Sequence, residues 1–127
     1  MSLIAPELAG RVLEQALARG GDLAEVYAEE REGFSLTLDD GRVESPQTGR
    51  EAGVSVRVVS GDSTYFGYVD GLAEAGLMRV ADSVAQATHG EARRPVATTA
   101  ASPRDVHRIA RPPGDIDAAV KADLLRL

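Results

Sequence analysis

No cysteine occurs in this chain of 127 residues, which removes a disulfide framework, a thiolate nucleophile and a thiolate metal ligand together. The same absence fits a reducing, cytoplasmic setting. Long apolar runs are also missing. None approaches the roughly 20 residues that cross a bilayer, and the opening "MSLIAPEL" lacks the basic-then-apolar layout of a signal peptide. A soluble protein is expected, with no membrane partner. Positive charge is scarce: 14 basic residues stand against 20 acidic ones, for a formal net charge of -6, and Lys121 is the only lysine. That balance repels phosphate backbones, so no direct binding of nucleic acid is expected.

The chemistry-bearing motifs are equally sparse. His89 and His107 are the only histidines, and neither belongs to an H-E-x-x-H arrangement that would bring two imidazoles to one metal. His89 reads as a helix-terminal residue interacting with exposed carbonyls, and His107 as a linker residue. Glu29-Glu30 and Asp39-Asp40 are adjacent acids, but neighbours in a strand point to opposite faces, and Asp39-Asp40 is turn chemistry. No serine lies in a G-x-S-x-G turn, and the glycines Gly41, Gly49, Gly53, Gly61, Gly67 and Gly71 form neither G-x-G-x-x-G nor a P-loop. They are spaced like hairpin punctuation. No catalytic, cofactor-binding or metal-ligating residue is assigned within this chain.

What is present is a well-ordered alternation of periods. Leu8, Val12, Leu13, Ala16 and Leu17 recur at helical spacing, with Pro6 suited to the first turn and Gly20-Gly21 to the stop. "LAEVYAEERE" sets Ala24, Val26 and Ala28 against Glu25, Tyr27 and Glu29, the pattern of a strand with one covered face. "FSLTL" reads as a further strand after a reversal at Gly33, Asp40-Gly41 as a two-residue hairpin turn, and "RVES" as the returning strand, which Pro46 ends. "GVSVRVVSG" and "STYFGYVDG" make a second hairpin about Gly61-Asp62. Arg57 stands on the face opposite Val54, Val56 and Val58, where an acid of the first strand, Glu25 or Glu29, is its expected partner in preference to an outside surface. Phe66 and Tyr68 share a face, expected to pack under a helix rather than line a peptide groove.

From Asp70, placed as a cap, the period becomes helical through Leu72, Leu77, Val80, Ala81, Val84 and Ala85. The predicted fold is α+β: a helix, four to five mostly antiparallel strands in hairpins and a long helix, with the helices on one face of the sheet. One domain is expected over residues 1–90. Residues 91–114, rich in Pro, Ala, Thr and Arg, read as a linker or extended arm, and 115–127 as the start of a helix with Ile116, Val120, Leu124 and Leu127 at helical spacing. Its apolar stripe meets no stop signal before Leu127, so the chain is expected to be part of a longer protein.

The run "GGDLAEVYAEEREGFSLTLDDGRVESPQTGREAGVSVRVVSGDSTYFGYVDGL" resembles the N-terminal domain of the TldD/PmbA family, also labelled modulators of DNA gyrase. The resemblance lies in the order of an "AEVYAEE" strand, an "LDDGRVES" hairpin, a "GVSVRV" strand and a "YFGYVDGL" strand between two helices. It covers nearly all of Glu7 to Ala87, and "VKADLLRL" is similar to the segment that opens the family's next helix. The resemblance implies a bacterial or archaeal cytoplasmic protein whose full-length catalytic members are zinc metallopeptidases acting on unfolded peptides. It implies dimers, often of a catalytic subunit with a related inactive one, enclosing the active site in a chamber. The H-E-x-x-x-H zinc motif of that family has no counterpart here, so no ligand carries over. Such a domain would form part of the chamber wall, the subunit contact or the way in for an extended peptide. The same resemblance leaves room for the domain of an inactive partner subunit, or for an autonomous regulatory module that binds another protein, gyrase among the candidates.

Overall fold

Valines at every second position between Gly53 and Val59 define the centre of the fold, because a pleated strand turns alternate side chains to one face. A computed structural model describes residues 2–92, 99–101 and 106–127, and places Val54, Val56 and Val58 at zero exposure. The elements run α1 (Pro6–Ala16), β1 (Leu23–Asp39), β2 (Arg42–Ser60), β3 (Ser63–Asp70), α2 (Glu74–Ala87), a 3-10 turn at Pro113–Asp115, and α3 (Ala118–Leu125). The strands form one sheet in the order β1-β2-β3. The protein is therefore α+β.

Two compact units divide the chain, one comprising Met1–Glu30 with Glu51–Thr99, the other Arg31–Arg50 with Ala100–Leu127. In the first unit α1 and α2 cover one face of the sheet. Val12, Ala16 and Leu17 from the first helix meet Leu77, Val80, Ala81 and Val84 from the second over the β2 valines. Arg11 donates to Glu74 at 2.6 Å and Gln15 to Asp82 at 3.0 Å; the partners' numbers rise together, so the helices run in the same direction. β2 pairs antiparallel with β3, Ser60 opposite Ser63, Val58 opposite Tyr65 and Arg57 opposite Phe66. Gly61-Asp62 is thus the expected two-residue turn, held by the Gly61 N–H donating to Asp22 at 2.8 Å. α2 rides close over β3: a Cβ on Gly67 would meet Val80 Cγ2 at 2.5 Å.

In the second unit the distal halves of β1 and β2 close through Asp40-Gly41, whose φ values of 46° and 72° are the paired positive angles the hairpin turn was expected to need. α3 begins at Ala118, where the Asp117 side chain accepts from the Ala119 N–H at 2.9 Å. This start is three residues beyond the expected one, since Pro112, Pro113 and Gly114 hold the chain in a tighter turn first. No residue of α3 is buried.

Three expectations require correction. The described residues carry three strands, not four or five, because β1 passes straight through Gly33 and β2 through Pro46. β1 and β2 are hydrogen-bonded neighbours in the sheet, and Ser45 takes φ 45° just before the proline. Asp70 does not cap α2: the N-cap is Ala73, with no side-chain bond, and Asp70 accepts from the Tyr68 hydroxyl instead. At the other end of α2 it is Thr88, fully buried, whose Oγ1 donates to the Val84 carbonyl at 3.1 Å, while His89 is exposed. Within 91–114, expected as a linker, residues 93–98 and 102–105 lie outside the described residues.

Candidate functional site

The sheet of the first unit has two unlike faces. One lies under the helices; the other shows Glu25, Tyr27 and Glu29 from β1, Glu51, Ser55 and Arg57 from β2, and Phe66, Tyr68 and Asp70 from β3. The assignment follows from parity, since these positions alternate with the buried valines and share their cross-strand partners. Phe66 is 64% exposed, Tyr68 60% and Tyr27 58%. Phe66 and Tyr68 do share a face, as their spacing required, but it is the open one: the expectation that they pack under a helix is overturned. Tyr65 and Gly67 hold the covered positions of β3 instead.

Arg57 anchors this face. Its Nε and Nη2 donate to the two carboxylate oxygens of Glu25, each at 2.8 Å, the bidentate internal pair expected from the alternation. Hydrogen bonding from Arg57 holds the Glu25 carboxyl below the usual glutamate range, with the guanidinium charge adding to it and burial opposing. Water reaches both partners, 41% of the Arg57 and 49% of the Glu25 side chain being exposed, so screening keeps the stabilisation small. Because the folded value is depressed, that stabilisation is present above the unfolded pKa and lost as pH falls through the folded one. Replacing Arg57 with methionine will move the Glu25 carboxyl up toward its ordinary value of about 4.3 in a carbon-detected NMR titration. An unmoved titration would show that the pair does not persist in solution.

Around this pair the tyrosines are arranged alike. The Tyr27 hydroxyl donates to Glu29 at 2.9 Å and the Tyr68 hydroxyl to Asp70 at 2.8 Å, each two residues on along the same strand face. The phenol end of Tyr68 lies over Gly53, where any Cβ would fall within 2.4 Å of its oxygen. Hydrogen bonding to Asp70 chiefly, then burial and the charges of Asp70, Glu51 and Glu29, push the Tyr68 phenol above its usual range. These carboxylates therefore act on one ring from all three strands. Glu30, by contrast, sits on the other side of β1 from Glu29, so the adjacent acids share no site.

The second unit contains a cavity of about 670 Å³ lined by residues that include Glu32, Phe34, Arg50, Asp115, Asp117 and Lys121. Arg50 Nε lies 3.7 Å from Glu32, Lys121 Nζ lies 4.2 Å from the Phe34 ring centroid, and Asp117 is committed to the α3 cap. Arg50 and Glu32 thus form a charge pair in the cavity lining, and none of these charged residues is buried. Among the described residues no group of three or more His, Cys, Asp or Glu is placed to hold a metal ion, and no helix is long and apolar enough to cross a membrane.

Residues 24–88 match a family described as PmbA/TldA metallopeptidase domain 1. A Haemophilus influenzae protein described as "Metalloprotease TldD homolog" is 30% identical over 112 residues, which are 86% of this chain and 23% of that relative. The chain spans less than a quarter of the relative's length.

Proposed function

Because the chain belongs to the PmbA/TldD metallopeptidase family, whose first domain it carries, we propose that it is the non-catalytic N-terminal domain of a peptidase subunit acting on unfolded peptides. The observation that carries this reading is the match of residues 24–88 to a first domain, in a chain that spans only 23% of a relative named as a metalloprotease. The described residues do not fit the zinc ion that the family implies: His89 and His107 are exposed and no third ligand joins either. On this reading zinc and the reacting groups belong to further polypeptide, in a cytoplasmic parent that pairs with a homologous subunit. Residues 1–90 serve as chamber wall, subunit contact or way in for substrate, 91–114 as a connection, and 115–127 as the first turns of the helix that leads into the remainder of the parent.

The test uses the longer gene product that contains this chain, with labelled unfolded casein as substrate. The parent, supplied with its homologous subunit, will hydrolyse casein and lose that activity to a zinc chelator, while the 127-residue chain alone will release no label. Chelator-sensitive hydrolysis by the short chain, or an inert parent, would overturn the proposal.

A further inference from the structure

The open face of the first unit's sheet combines two features that are separately ordinary. Three large aromatic side chains, Tyr27, Phe66 and Tyr68, are more exposed than covered, although the opposite face of the same sheet is sealed by two helices. Around them, within the first unit, stand Glu25, Glu29, Glu51 and Asp70 against Arg57, four carboxylates to one guanidinium and a formal balance of -3, with Arg31 the next residue of that face along β1. That guanidinium is already held by Glu25 at two points. A cation arriving at this face meets rings and acceptors together. A phenol that donates to a carboxylate, as Tyr27 does to Glu29 and Tyr68 to Asp70, gains electron density in its ring and attracts a cation over its face more strongly.

We propose that this face docks an extended peptide segment bearing arginine and lysine, whose cationic heads are received by the rings of Tyr27, Phe66 and Tyr68 and by Glu29, Glu51 and Asp70. Charge complementarity selects the occupant: an acidic segment, or a nucleic acid, would bring like charge onto the carboxylates. An extended conformation suits the site because alternate residues of a strand point the same way about 7 Å apart, which matches the spacing of Phe66, Tyr68 and Asp70 along β3. Arg57 is a positioning residue here, drawing Glu25 away from the incoming cation. The proposal rests on the reading that this domain meets unfolded chains, and names the kind it prefers.

Fluorescence anisotropy with the 127-residue chain tests it, using a short labelled peptide that alternates arginine with valine and a second that alternates glutamate with valine. The arginine peptide will bind, the glutamate peptide will not, and added salt will weaken the first. Phe66→Ser and Asp70→Asn, both at exposed positions, will each weaken binding about 3- to 10-fold, while Glu7→Gln on α1 leaves it unchanged. Circular dichroism melting confirms that each variant is folded. Equal binding of the two peptides, or binding indifferent to Phe66→Ser and Asp70→Asn, overturns the proposal. Anisotropy reads binding without hydrolysis: a parent that cleaves casein while its domain ignores the arginine peptide defeats this inference alone. A domain that binds the peptide in a parent without chelator-sensitive activity defeats only the peptidase reading.

Discussion

Truncating Leu77 to alanine will lower the unfolding free energy by about 2–5 kcal/mol, read as a reduced urea midpoint with an unchanged slope. Leu77 is fully buried and belongs to the cluster in which α1, α2 and β2 meet, alongside Val12, Val54, Val56 and Val80. Deleting its branched end leaves a hole that both helices and the sheet border, so no single element can shift to fill it. Domains of this size are stable by only about 5–15 kcal/mol, so the loss is a large share of the total. Leu124→Ala on α3, at a side chain 62% exposed, will change stability by less than about 0.5 kcal/mol. The contrast reflects where the fully buried side chains lie: among the described residues, all belong to the first unit. A loss below about 1 kcal/mol at Leu77 would mean that α2 is not seated on the sheet as described.

Much of this core was legible because its side chains repeat with a single period. The valines of β2 and the Leu77, Val80, Ala81, Val84 and Ala85 stripe of α2 each name their covered face without knowledge of the partner. Asp40-Gly41 declared its turn through the paired positive φ values that few other residues accept. Gly33 and Pro46 misled for the opposite reason. Local propensity marks both as breakers, yet each lies inside a long hairpin, where cross-strand hydrogen bonds decide continuity. Asp70 was similarly ambiguous: a carboxylate before a helix can cap it, but Tyr68, two residues back on the same face, offers it a closer donor.

The open face was hidden by composition and recoverable by counting. "STYFGYVD" has large side chains on both sides, so hydrophobicity alone cannot say which side is covered. The two-residue turn at Gly61-Asp62 does say: with Ser60 opposite Ser63, Val58 must face Tyr65 and Val56 must face Gly67. Phe66 then falls opposite Arg57, on the side away from the valines. Register, once fixed by turn length, transfers the known face of one strand to its neighbour. The Arg57–Glu25 pair was readable from parity in the same way, whereas the choice of Glu25 over Glu29 needed the β1 alignment that no short-range signal supplies.

Gly67→Val will destabilise the first unit by about 1–3 kcal/mol in urea denaturation, against the gain that valine ordinarily brings to a strand. A Cβ at this position would stand 2.5 Å from Val80 Cγ2 and 2.9 Å from Val84 Cγ2, and the two added methyl groups have no room beneath α2. Valine's β preference spans at most about 1 kcal/mol, so the overlap wins. Val80→Ala made in the same chain removes the nearer obstruction. The double variant will therefore be more stable than the sum of the single effects predicts, by about 0.5–3 kcal/mol of coupling. Gly33, also within a strand, has nothing within 4 Å of its would-be Cβ and no positive φ. There the same kind of substitution costs nothing sterically and restricts the unfolded chain, so Gly33→Ala will stabilise slightly. Opposite signs at two strand glycines are what a helix pressed on Gly67 and open space at Gly33 require; a Gly67→Val that does not destabilise would show that α2 does not approach β3 so closely.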